Sequence, residues 1–138
     1  MPDSVDYAQS PPLGGPHDQA WADCTGIVYA EAIREENAVH SLEHGAVWLS
    51  YDPALPAADV GVLAGLVDGV GHTMLSPYPG LSTAVSVQSW GRQLVVESVS
   101  DPRLEAFLRI YRMTPELSPE PGATCSNPAL ASDPLPPD

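Results

Sequence analysis

Two histidines four residues apart, His40 and His44, are the residues of this sequence best placed to act together in chemistry. The apolar spacing around them predicts a helix over residues 33–44, and positions i and i+4 of a helix share one face, with Cβ atoms about 5–6 Å apart. Two imidazoles at that spacing can reach one metal ion. An exposed or half-buried helix face without metal is the alternative interpretation of the same pattern.

The acidic residue beside this pair does not complete the zinc-protease motif. In that motif Glu follows the first His, whereas Glu43 directly precedes the second. At 3.6 residues per turn, Glu43 is expected to point roughly 100° away from the His face. We therefore predict that Glu43 orients a histidine or pairs with a cation, and that it is not a general base.

Two imidazoles are not a complete metal site, so other ligands must come from elsewhere in the chain. His17 follows the stiff stretch Gly14-Gly15-Pro16, which could position its side chain, although an exposed loop histidine would look the same. Met74 is a second candidate, because a thioether beside imidazoles favours copper over zinc. Met74 could equally fill the apolar core. His72 would point the same way as Met74 on a strand and could lie near the site.

Other catalytic chemistries find little support in the sequence. No Ser lies in a Gly-x-Ser-x-Gly elbow, and a phosphate-binding loop with its Lys is excluded because the chain has no Lys. A cysteine nucleophile is disfavoured if both cysteines are oxidised. No organic cofactor is expected, and copper, with zinc as the alternative, is the predicted cofactor.

The charge of the chain excludes several kinds of partner. Its net charge is −13 over 138 residues, and all five cations are Arg. We expect no binding to nucleic acid or anionic lipid, because there is no basic stripe. No run of about 18 apolar residues is present, so direct membrane insertion of this chain is not expected. The acidity would attract metal cations, or it could serve solubility alone.

The two cysteines, Cys24 and Cys125, lie at the two ends of the expected folded region. They are interpreted as a disulfide bond that joins the two ends of the folded region, which could stabilise the fold by up to about 4–5 kcal/mol. A disulfide favours an oxidising compartment. Two unrelated buried thiols are the alternative.

The pattern of apolar residues predicts a single α+β domain with a small, mostly antiparallel sheet and two to three helices packed on it. Residues 11–125 are assigned to the domain, 1–10 to a flexible segment and 126–138 to a disordered, Pro-rich tail. Gly45 is predicted to end the first helix at the C′ position. The predicted order is β-α-β-α-β-β-β-α, with strands near 26–30, 46–51, 73–76, 84–90 and 93–98 and helices near 33–44, 57–70 and from 102 onward.

Several segments together resemble one protein family, catalogued as domain of unknown function 3105. The match covers roughly residues 10–125 and is carried by Pro11 to His17, Gly26 to Tyr29, Val39 to Val47, Tyr51 to Pro53, Ser76 to Leu81, Ala84 to Arg92 and Pro119 to Cys125. The family typically has Thr-Ser where this chain has Leu13-Gly14. The resemblance implies a bacterial, often actinobacterial, protein that usually works outside the cytoplasm, either secreted or membrane-anchored in a longer form. A cytoplasmic location stays open as the alternative, because no leader is visible in this sequence. The family's histidines match His17, His40 and His44.

Three hypotheses follow for the function. The first is an extracytoplasmic copper-binding protein with His17, His40, His44 and Met74 as ligands, which stores, delivers or senses the metal. The second is a metal-dependent enzyme, oxidative or hydrolytic, on the same site, with Tyr51 or Tyr78 near the ion. The third is an envelope interaction domain whose histidines form a structural network. An envelope protein or a small molecule is the expected partner besides the metal ion, and the oligomeric state is left open.

Overall fold

The computed structural model describes residues 21–33, 35–81, 83–112 and 125. His17, the predicted flexible segment and the predicted Pro-rich tail lie outside them. The described residues form eight elements in the predicted order, namely β1 (Thr25–Val28), α1 (Glu35–Glu43), β2 (Val47–Tyr51), α2 (Ala57–Val67), β3 (Thr73–Pro77), β4 (Val85–Ser89), β5 (Arg92–Val96) and α3 (Arg103–Tyr111).

The strands form one five-stranded sheet in the order β1-β3-β2-β4-β5. The predicted α+β domain is confirmed, but the sheet is mixed: β1–β3 and β2–β3 are parallel, while β2–β4 and β4–β5 are antiparallel. The parallel pairs arise because α1 and α2 are crossover helices, which return the chain to the same end of the sheet before the next strand. The antiparallel half includes a tight hairpin at Gly91, whose φ of 72° suits glycine.

The two faces of the sheet carry separate cores. Alternate residues of β2, Val47, Leu49 and Tyr51, face α2 and α3 and pack with Leu63 and Phe107. The opposite face carries Trp48 and Met74 and packs against α1 through Ala38 and Leu42. This alternation is the period-2 pattern of a strand, and it places α1 alone on the side of Trp48 among the described helices.

The end of α2 is tied to the edge strand β1. The Gly69 N–H donates to the carbonyl oxygen of Gly26 at 3.2 Å. A Cβ at Gly26 would lie 2.4 Å from the backbone nitrogen of Val70, so only glycine permits this approach. The helix ends at Val67, three residues before the predicted boundary, because the backbone of Asp68 leaves the helical region with a ψ of 117°. Over the described part of the chain, no helix is both long and apolar enough to cross a membrane.

Candidate metal centre

Helix α1 and the turn that ends it position three side chains with metal-binding atoms. Glu35 and Glu36 begin the helix, where acidic groups are favoured by the helix dipole. At the other end Gly45 has a φ of 95°, its N–H donates to Leu42 O at 3.0 Å, and the Ala46 N–H donates to Ser41 O at 3.2 Å. This is a Schellman motif with Gly45 at C′, as predicted. It holds His44 at the last turn of the helix, beside His40.

The three side chains are His40, Glu43 and His44. One nitrogen of each histidine and one oxygen of Glu43 lie within 4.8 Å of one another. His40 Nε2 is 3.9 Å from Glu43 Oε1, and the two side chains are 12% and 17% exposed, whereas His44 is 5% exposed. Ligands of one tetrahedral ion at about 2.0–2.1 Å are about 3.3 Å apart, so small side-chain rotations would draw these donors around an ion.

The prediction that Glu43 points away from the histidines is wrong. The 100° rotation separates Glu43 from its neighbour His44. Glu43 is three residues from His40, however, and therefore lies on the same side of the helix as His40. The donor set of this group is two imidazoles and one carboxylate.

The two imidazole rings stand nearly perpendicular, with centroids 4.7 Å apart and an interplanar angle of 83°. Two imidazoles that share an ion place their centroids about 4.5 Å apart for a right angle at the ion and about 5.2 Å apart for a tetrahedral angle. The observed separation lies between these values. A linear arrangement would need about 6.4 Å, so the ring pair suits a bent coordination geometry.

Trp21 packs against both histidines. Its ring centroid lies 5.0 Å from that of His44 and 5.5 Å from that of His40. Sequence reasoning missed this residue, because it lies nineteen positions before His40 and belongs to no motif or periodic pattern. Trp21 begins the lead-in segment, residues 21–24, which leads directly into β1.

Met74 is fully buried in the core on the α1 side of the sheet. It pairs in register with Trp48 on β2 and Ile27 on β1, and its cluster includes Leu42 and Cys24. These apolar surroundings favour a packing role. A ligand role for Met74, like that of His17 outside the described residues, stays a prediction.

His72 does not join the histidine group, although it was a candidate near-site residue. It lies in the turn before β3 with a φ of 59°, and its carbonyl oxygen accepts the Val47 N–H at 3.0 Å. The group of metal-binding atoms found in the described residues contains only His40, Glu43 and His44.

The two tyrosines proposed as groups near an ion lie elsewhere. Tyr51 belongs to the core on the opposite face of the sheet, and burial raises the pKa of its phenol. Tyr78 donates a short hydrogen bond to Glu35 Oε1, at the first turn of α1. Since the histidines lie at the last turn, neither tyrosine is placed to act on an ion there, and this expectation is wrong.

The cysteines meet at the start of β1. The sulfur atoms of Cys24 and Cys125 are at disulfide-bonding distance, with Cα atoms 4.8 Å apart, and the residues are 0% and 3% exposed. The Cys24 N–H also donates to Cys125 O at 3.0 Å. Among the described residues no cysteine is free.

A family model described as a protein of unknown function, DUF3105, matches residues 1–127. The chain belongs to the DUF3105 family. This confirms the resemblance given by the sequence motifs, and the match includes the three donors of the candidate centre. No curated protein and no solved structure is significantly similar to the chain.

Proposed function

We propose that this DUF3105 protein binds a transition-metal ion, Cu(II) in preference to Zn(II), through His40, His44 and Glu43, in an oxidising compartment outside the cytoplasm. The observation that carries the proposal is the convergence of three donor atoms within 4.8 Å of one another at the end of one helix. Its role would be to store, deliver or sense the metal.

The chemistry of the donors supports copper or zinc. Imidazole nitrogens suit both ions, and for a given set of nitrogen and oxygen donors Cu(II) binds more tightly than Zn(II). The 4.7 Å ring separation corresponds to an angle of about 95° at a shared ion, which fits Cu(II) or Zn(II) better than a linear Cu(I) centre. Met74 could make Cu(I) competitive only if its sulfur turned out of the core.

The compartment is argued from the cysteines. A disulfide between Cys24 and Cys125 would persist where thiols are oxidised, and such bonds are rare in the cytosol. The net charge of −13 would also raise the local concentration of metal cations around the protein.

Thermal melting of the chelator-stripped protein with Cu(II), Zn(II) and Cu(I) tests the proposal. An ion at a hundred times its dissociation constant stabilises the folded state by about 2.7 kcal/mol, which is about 10 °C in Tm for a chain of this size. We expect the largest rise with Cu(II), a smaller one with Zn(II), and loss of both when His40 and His44 are replaced by Ala together.

His72→Ala is the matched control, because it removes a partly buried imidazole outside the group and should keep the full metal-dependent rise. If no ion changes the Tm of the wild-type protein, the proposal fails and the histidines form a structural network. If His72→Ala loses the rise as well, binding is not specific to this centre.

A second candidate function is metal-dependent catalysis. Two histidines and one carboxylate are the donor set of several catalytic zinc sites, which leave a coordination position open for water. The exposed fractions of His40 and Glu43, 12% and 17%, would give solvent access to that position. Water-proton relaxation of the Cu(II)-loaded protein distinguishes the two functions, since an exchangeable bound water favours catalysis and a closed shell favours a carrier.

A further inference from the structure

The lead-in segment is attached to α1 at the level of the candidate centre. The Ala22 N–H donates to Asn37 O at 3.0 Å, and Ser41 Oγ donates to Ala22 O at 2.5 Å. Ser41 lies between the two histidines in sequence and is fully buried. These bonds join the backbone next to Trp21 to the helix that carries the donors.

Two further contacts hold the other end of the same segment. The Tyr29 hydroxyl donates to Asp23 O at 2.7 Å, and Cys24 is joined to Cys125 through its sulfur and through its N–H. Asp23 also accepts the N–H and hydroxyl of Thr25 at 2.9 and 2.6 Å. Every residue that follows Trp21 in the lead-in segment is therefore held by the surrounding fold, which anchors the backbone next to the indole beside the histidines.

We propose that Trp21 is a positioning residue of the metal centre, whose indole holds the imidazoles of His40 and His44 in the bent arrangement that an ion requires. This inference rests on the proposed metal-binding function. The indole touches both rings, and aromatic pairs with centroids 4.5–7 Å apart attract one another. A side chain that is already fixed before the ion binds loses little conformational entropy on binding. Each such side chain improves affinity by a factor of about two to ten.

The test compares Trp21→Ala and Trp21→Phe with Trp90→Phe as the matched control. Trp90 packs against the same core but makes no ring contact with either histidine in the described structure. Cu(II) and Zn(II) affinities are measured by competition with a chelator of known affinity, and the Tm of each metal-free variant is recorded. We expect Trp21→Ala to weaken both ions about tenfold, Trp21→Phe to restore affinity to within about threefold, and Trp90→Phe to change nothing.

Indole fluorescence tests whether Trp21 lies beside the bound ion, as the proposal requires. Cu(II) is paramagnetic and quenches a nearby indole, so Trp21 should supply most of the quenching in the wild-type protein. We expect Trp21→Phe to lose most of the quenching while still binding Cu(II), and Trp90→Phe to retain it. Even if Trp21→Ala does not fold, unchanged quenching in Trp21→Phe would place Trp21 away from the ion and overturn the proposal.

The outcomes separate the two proposals. If the wild-type protein binds neither ion, the metal-binding function itself fails. If the wild-type protein binds, and the His40→Ala, His44→Ala double variant does not, but affinity is unchanged in both Trp21 variants, then the function stands and the positioning role of Trp21 is refuted, whether or not the quenching is lost.

Discussion

Glu43 Oε1 lies 3.9 Å from His40 Nε2, so the carboxylate and the imidazole face each other across a gap that an ion could bridge. The separation is longer than a hydrogen bond and longer than the edge of a tetrahedral coordination shell, which is about 3.3 Å. Because the separation exceeds that edge only slightly, small side-chain rotations would let the two groups bind one metal ion.

Glu43→Gln should weaken Cu(II) and Zn(II) binding about tenfold or more. The amide keeps the size of the side chain but removes its charge and leaves a poorer oxygen donor. Isothermal titration of the chelator-stripped protein measures the change. Glu31→Gln is the control, since it removes one negative charge at an exposed position of the same chain. Equal losses in the two variants would mean that Glu43 acts only through the overall charge.

Gly45→Ala should destabilise the fold by about 1–2 kcal/mol, because a Cβ is strained at the φ of 95° that the end of α1 requires. The change should also weaken metal binding by displacing His44 from His40. Urea unfolding gives the stability and a metal titration gives the affinity. Gly61→Ala is the control, since it lies in α2 where a Cβ would meet nothing within 4 Å, and it should be neutral or stabilising. Unchanged stability of Gly45→Ala would contradict the Schellman assignment.

Alkaline solution should destabilise the protein through Tyr29. Burial raises the pKa of this phenol, and the Asp23 carboxylate raises it further. The unfolded chain therefore releases this proton near pH 10 while the folded chain retains it, so the stabilising contribution is complete below about pH 10 and is lost as the pH rises beyond that value. Unfolding free energy measured between pH 8 and 11 should fall less steeply in Tyr29→Phe.

Tyr29→Phe should also cost about 1 kcal/mol at neutral pH, because Asp23 O loses a buried hydrogen bond. The pKa of Tyr51 is likewise raised by burial, so Tyr51→Phe provides a comparison with a second buried phenol. If the free energy of unfolding falls as steeply with rising pH in Tyr29→Phe as in the wild-type protein, Tyr29 does not contribute to the alkaline destabilisation.

Met74→Leu should change stability by less than about 1.5 kcal/mol, since the two side chains have similar volume and the site is a packed core. We expect Cu(II) and Zn(II) affinities to stay at the wild-type values, because neither ion needs the thioether. Competition titrations with Cu(I) and Cu(II) check this. A selective loss of Cu(I) affinity would instead identify the sulfur as a fourth ligand.

The local elements were predictable from the sequence, whereas the strand order was not. Alternation of Val47, Leu49 and Tyr51 against Trp48 identifies β2 and its two faces, and Gly45 marks the end of α1, because both signals arise within a few residues. The insertion of β3 between β1 and β2 depends on contacts between distant segments, which no local pattern reports. The mixed character of the sheet follows from that insertion.

The candidate centre was predictable only where its residues share a helix. His40 and His44 were found from their spacing, and Glu43 could have been found with them from its i, i+3 relation to His40. Trp21 could not have been found, since hydrogen bonds of Ala22 to Asn37 and Ser41 bring it to the site from outside the helix.

The bond between Cys24 and Cys125 closes residues 24–125 into one covalent ring. A protease that nicks an exposed turn inside the ring, such as the one at Gly91, would leave both halves of the molecule attached to each other. The nicked protein should run as one band without reductant and as two bands with it. The disulfide would then keep the fragment that carries β4 and the fragment that carries β5 at a high effective concentration. A cut chain could therefore stay folded where two unlinked fragments would separate.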